Sequence, residues 1–195
     1  NGPGKTRDKN GRHKNKNRLL IGALTAEWLY LHGGSGGLKC PGAQCTWKTP
    51  SQARSHLHRV QRVIRQLNGD LVNVVEVEDC RVLGELAEGA DRRYVPYLTR
   101  STDRALGQNV GLLTRIDPIQ FGRSPLTRYH PIKNSTCPRG QSGRTSLSKH
   151  YLARLPLANN LTVTIIGIHL IAIPDMAGRC AKREAQAAII KQLIR

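Results

Sequence analysis

"LVNVVEVEDC", residues 71–80, is the stretch on which the reading of this chain turns. Through Val75 it is apolar on both faces, as a strand covered on each side would be. Then Glu76, Glu78 and Asp79 arrive within four positions, in a chain with 31 Lys+Arg and only 13 Asp+Glu. Where a strand hands over to a loop, side chains project into a site instead of packing. Glu76 is therefore a candidate ligand for a hard divalent cation such as Mg²⁺, which takes oxygen ligands and keeps several waters. By pattern alone it is equally a partner for one of the many arginines.

Working outward, "LLIGALT" (19–25) is a strand candidate, and "AEWLYLHGGSGG" after it reads as a loop on its glycines. Thr49, Pro50 and Gln52 make a helix start: an N-cap, a proline in the first helical position and a capping-box partner. Ala53, Leu57, Val60, Ile64 and Leu67 then form one apolar face, with Arg54, Arg59, Arg62 and Arg65 mostly off it; Gly69 ends the helix. Downstream, "RVLGELAE" predicts a short helix. Strands are expected at 93–98, 109–115, 150–157 and 161–170, with "ANN" (158–160) turning between the last two. Residues 116–148, rich in Pro, Gly, Ser and Arg, read as a long loop. In the closing "RCAKREAQAAIIKQLIR", Ala181, Ala185, Ala188, Ile189 and Leu193 make a second apolar helical face. Helices alternating with runs of strands indicate a mixed α/β or α+β layered fold.

A net charge of +18 over 195 residues favours a polyanionic partner: nucleic acid, anionic lipid or acidic polysaccharide. Residues 1–18 carry seven Lys/Arg and one acid and read as a flexible basic arm. No apolar run approaches the length of a membrane span. Cys40, Cys45, Cys80, Cys137 and Cys180 contain no CxxC pair, which argues against a zinc knuckle. Their odd number leaves one outside any intrachain pairing, and the pairing itself is not deducible. Two sequons, Asn134-Ser-Thr and Asn160-Leu-Thr, lean with the cysteines toward a secreted or secretory setting, with an organellar or ribonucleoprotein setting as the alternative.

His169 ends the strand "VTIIGIH" and is placed to polarise a phosphoryl oxygen or pass a proton, although a lone histidine is more often packed or on the surface. His56 and His58 face different sides of their helix and make a poor metal pair. "GGSGG" (33–37) lacks the Lys-Ser/Thr of a P-loop. Ser148-Lys149-His150 has no nucleophile elbow around it. Asp103, Asp117 and Asp175 read as caps or turn residues.

Five segments in order resemble the endonuclease/exonuclease/phosphatase (DNase I-like) family over about residues 19–195: "LTAEWLYL", "DLVNVVEVED", "GQNVGLLTR", "SLSKHYLARL" with "LTVTIIGIHLIA", and "RCAKREAQAAII". They look most similar to a secreted-looking subset with "CPG…CTWKT" and "SKHY". The resemblance implies a four-layer α/β/β/α sandwich, incomplete in this chain. It makes Glu76 the metal ligand and a catalytic residue, and His169 the catalytic histidine. Mg²⁺, or another divalent cation such as Ca²⁺ or Mn²⁺, would be the cofactor. Phosphate or nucleic-acid contacts are expected from Thr25, Asn109, Lys149 and His150, with Arg54 and Arg62 drawing in the polyanion. Glu78 and Asp79 are expected to be rim or structural residues.

Two departures stand against the family pattern. Its early asparagine is Thr25 here, and its later Asp-x-Asn and terminal Asp-His motifs have no counterpart. Residues 19–195 are thus expected to be the N-terminal two-thirds of the domain, inactive alone unless another chain or segment supplies the rest. The leading expectation is a metal-dependent phosphodiesterase that cleaves nucleic acid, an endonuclease using in-line attack by water. The alternative is a basic nucleic-acid-binding or ribonucleoprotein component that keeps the fold without catalysis. A phosphatase for lipid or small phosphate esters is a weaker third.

Overall fold

The structure, a computed structural model, describes residues 18–32, 40, 45–102, 106–124, 130–137, 143–173, 175–176 and 178–194. The basic arm apart from Arg18, the "GGSGG" segment and Asp103 lie outside the described residues.

Strand β2 (Leu71–Val77) sits inside a four-stranded sheet. It pairs in parallel with β1 (Ile21–Leu29) and antiparallel with β4 (Asn109–Thr114), which carries β3 (Val95–Thr99) on its other side. Its two apolar faces serve two cores. Val72, Val74 and Val77 join Leu57, Ile64, Leu83 and Leu86 of the helices α1 (Pro50–Leu67) and α2 (Cys80–Ala90). Leu71 and Val75 join Val110 and Leu112 of β4 and Tyr151, Ala153 and Leu155 of a second sheet. That sheet is built from β5 (Gln120–Gly122), β8 (His150–Pro156) and β9 (Thr162–Ile168). A small ladder of β6 (His130–Pro131) and β7 (Arg144–Thr145) stands apart from both sheets. Helix α3 (Arg179–Leu193) packs against β6 and β7, with Ile132, Ala181 and Ala185 as their shared apolar cluster. Two sheets face to face with α1 and α2 outside the first make the α+β layered fold that the sequence predicts, and α3 packs on the small β6–β7 ladder.

Local chemistry explains the boundaries. The α1 capping box forms as read: Thr49 Oγ1 accepts from Gln52 N–H, and Gln52 Oε1 accepts from Thr49 N–H. The helix closes on Asn68 in the left-handed region, one residue before Gly69. Where β2 and β9 pass closest, Gly167 admits no side chain, because a Cβ there would lie 2.0 Å from the Tyr151 ring and 2.5 Å from Asn73 Oδ1. A hairpin turn through Ala158–Asn160, with Asn159 and Asn160 both at positive φ, joins β8 to β9.

Two expectations need correction. β1 does not stop at Thr25 but runs to Leu29, because Ala26 and Leu29 are apolar and buried against the helices. Residues 116–148 are not one long loop: they contain β5, β6 and β7, strands of two or three residues too short to leave a periodic signal. Cys40 pairs with Cys45 and Cys137 with Cys180, and Cys80 is a free thiol on the surface. Among the described residues no helix is long and apolar enough to cross a membrane.

Candidate functional site

Strict alternation would send Glu76 to the face of Val72 and Val74, beneath the helices. A bulge prevents this. The β2–β4 register shifts between Val75 and Val77, and Glu76 takes a φ of 66°. β1 bulges at the same level, with its shift between Thr25 and Leu29 and with Glu27 and Trp28 at φ of 47° and 62°. The β2 bulge leaves Glu76 unpaired and re-aims its side chain, and the β1 irregularity sets Ala26–Trp28 opposite that one residue. The two are tied together, since Trp28 N–H donates to Glu76 Oε2 at 3.2 Å. Positive φ at non-glycine residues stores strain and is concentrated at functional sites.

The bulge turns Glu76 into a cavity of about 460 Å³ that Trp28, Gln108, Ser148, Lys149 and His169 also line. His169 follows β9, and its N–H donates to Lys149 O, fixing the end of β9 to the start of β8. Its Nε2 lies 3.5 Å from Glu76 Oε1, and both side chains are only 16% exposed. Lys149 Nζ donates to Gln108 Oε1 at 3.1 Å. The ends of β2 and β9 and the starts of β4 and β8 thus converge on one place, where a carboxylate, an imidazole and an ammonium meet.

The three clustered carboxylates have three different tasks. Glu76 faces the cavity. Glu78 Oε2 accepts from Leu31 N–H and His32 N–H, closing the end of β1. Asp79 is the N-cap of α2, its Oδ1 accepting from Val82 N–H.

The remaining nominated residues lie elsewhere or are spent on structure. Thr25 lines a separate cavity with His56 and Arg59, and Trp28 is the β1 residue that reaches Glu76. Asn109 is buried and donates to the carbonyls of Val77, Glu78 and Gly107 while accepting from Ser101 N–H, so its amide knits strands instead of facing a ligand. His150 is 1% exposed; Nδ1 donates to Leu147 O and Nε2 accepts from Ser124 N–H. Burial lowers its pKa, and both ring nitrogens are engaged with backbone groups of the core. Arg54 pairs with Glu85 across α1 and α2, and Arg62 stands on the exposed face of α1; neither lines the cavity.

The sequence missed the opposite wall. Arg144 of β7 and Arg179 and Lys182 of the first turn of α3 line the same cavity, as does Gln186. Gln186 is buried, with Oε1 accepting from Ile171 N–H and Nε2 donating to Ser146 O. Arg183 donates to Ile171 O. Together they grip the segment two residues beyond His169. The available signal was polar: in "RCAKREAQ" a glutamine shares the apolar face with Ala181, Ala185 and Ile189, and a buried glutamine must have partners.

No protein-family model matches the chain, and no curated protein matches it either. Solved structures do. A beta hairpin deletion mutant of beta toxin from Staphylococcus aureus is similar at a TM-score of 0.50 and 13% identity, over 90% of this chain and 59% of that one. An endonuclease/exonuclease/phosphatase from Bacteroides vulgatus is similar at 0.47 and 16% identity, over 75% and 56%. TDP2 from Caenorhabditis elegans is similar at 0.41 and 19%, over 72% and 38%. The chain therefore spans about four- to six-tenths of their lengths. At these identities the likeness is one of fold alone.

Proposed function

We propose that the protein is a divalent-metal-dependent phosphodiesterase acting on nucleic acid. The observation that carries this reading is the meeting of Glu76 and His169, 3.5 Å apart, in a cavity lined with cations. Among the described residues no three His, Cys, Asp or Glu side chains gather into an all-protein metal cage. A single carboxylate with open space before it suits instead a hard cation that keeps waters and takes its other oxygens from a phosphate. Glu76 would hold that cation, whose chemistry when bound is to neutralise charge on the phosphoryl oxygens. Glu76 also accepts from Trp28 N–H, which fixes the carboxylate's orientation before any ligand arrives. His169, gripped from behind by the Gln186 and Arg183 contacts to Ile171, presents Nε2 to a phosphate oxygen as a hydrogen-bond donor. Lys149 adds a positive charge beside it.

The test is hydrolysis of a nucleic acid and of a small phosphodiester in the presence of Mg²⁺. Glu76→Gln and His169→Gln should each lower kcat/KM by at least about 100-fold while the fold is retained. Turnover that persists in Glu76→Gln, or that needs no divalent cation, would sink the reading. A second reading, a nucleic-acid-binding protein without turnover, is favoured by one observation: among the described residues lining the cavity, Glu76 is the only carboxylate. Salt-sensitive binding with no hydrolysis under any metal would select it.

A further inference from the structure

The wall opposite Glu76 carries more positive charge than folding requires. Among the described residues lining the cavity, Arg144, Lys149, Arg179 and Lys182 stand against one carboxylate. Among the described residues the side chains of Arg144 and Lys182 have no hydrogen-bond or ion-pair partner. Arg179 uses one guanidinium nitrogen on Ala172 O, which leaves its other donors available. Arg179 and Lys182 also occupy the first turn of α3, which has no acidic residue. The partial positive charge of a helix N-terminus repels cations there, so the arrangement becomes favourable when an anion sits among them.

The wall is also fixed in place. Cys180, between Arg179 and Lys182, is disulfide-bonded to Cys137. Ser135 and Thr136 donate to Glu184, and these hydrogen bonds lower that carboxyl's pKa and keep it an acceptor. Gln186 ties α3 to Ser146, two residues past Arg144. Three cations on short, cross-tied segments are organised before binding, which lowers the ordering cost of holding a phosphate.

We propose that Arg144, Arg179 and Lys182 form a second phosphate subsite, which takes the phosphate neighbouring the one held at Glu76, His169 and Lys149. The ligand class is a polynucleotide backbone, since a small diester has no second phosphate to offer. The subsite rests on the phosphodiesterase reading only for what happens at the first phosphate; binding can be measured without it.

The experiment is anisotropy of short fluorescent DNA and RNA oligonucleotides, titrated with the protein in EDTA over a range of salt. Arg144→Gln and Lys182→Gln should each flatten the slope of log affinity against log salt by about 0.7 to 0.9. Lys182→Arg should retain the slope, and Arg154→Gln, an exposed cation on β8, should leave it unchanged. The DNA and RNA arms show which backbone is preferred. Equal losses in Arg154→Gln and Lys182→Gln, or no loss in either wall variant, would overturn the subsite. So would unaltered oligonucleotide binding alongside lost binding to phosphatidylserine vesicles. If the slopes change as expected and no Mg²⁺-dependent cleavage is found, the subsite stands and the phosphodiesterase reading falls.

Discussion

The two ends of the sandwich are built from the same strands and treat charge in opposite ways. At one end β2 begins and β4 finishes. There Arg115 Nη2 donates to Asp91 Oδ2 at 2.7 Å and to Asn68 Oδ1 at 2.8 Å, and its guanidinium lies 4.7 Å from the Tyr94 ring centroid. Arg93 closes on the same Asp91, and Asp70 Oδ2 accepts from Leu20 N–H. At the other end, where β2 finishes and β4 begins, four cations line a cavity in which Glu76 is the one carboxylate among the described lining residues, and β1 and β2 both bulge. The first end satisfies its charges within the protein and locks three connections together. The second carries surplus charge and strained backbone. On the proposed function, stability and ligand binding are divided between the ends, and each can be attacked without the other.

The largest effect on stability is expected at the locked end. Arg115→Met leaves Asp91 in a largely buried place with Arg93 alone and should cost about 3 kcal/mol in chemical denaturation. Oligonucleotide affinity should not change; a loss there would break the division. Gln186→Leu comes next, at about 1–3 kcal/mol, because it orphans Ile171 N–H and Ser146 O. Unlike Arg115→Met, it should also shift the NMR titration curve of His169, since Gln186 is a positioning residue for the segment after it. Gln186→Glu, which keeps the acceptor for Ile171 N–H, should restore part of that curve.

Acid gives the smallest effect. Burial pushes the Asp91 carboxyl up, but hydrogen bonds from Arg93 and Arg115 outweigh it and bring the pKa from 3.8 to about 2. The folded value is the lower one, so the stabilisation is complete above about pH 4 and disappears as pH falls toward 2. Stability of Asp91→Asn should therefore vary less than wild type between those limits. An equal pH dependence in both proteins would remove Asp91 from the account.

What the sequence made legible follows the same division. The α1 start could be read because Thr49, Pro50 and Gln52 act on one another within four residues. The double burial of β2 could be read because Leu71, Val72, Val74 and Val75 are apolar whatever they pack against. Glu76 was singled out by type and position, but its direction depends on a one-residue bulge that no local pattern announces. Asn109 and His150 are the polar groups most easily mistaken for ligand contacts. Their tasks are set by carbonyls and amides up to 32 positions away, which only the folded chain brings near. Arg144 fell inside a segment that read as loop, and Arg179 and Lys182 sat on a helix read by its alanines. The arginines of α1 read as a means of drawing in a polyanion, yet Arg54 is answered by Glu85, and neither it nor Arg62 lines the cavity.

The central claim is that a cation held by Glu76 would lie beside the His169 imidazole. Its most direct test is the NMR signal of the His169 imidazole during titration with Mn²⁺, in wild type and in Glu76→Gln. The account predicts selective broadening of that signal in wild type and its loss in the variant. No broadening, or broadening that survives the loss of the carboxylate, would contradict it.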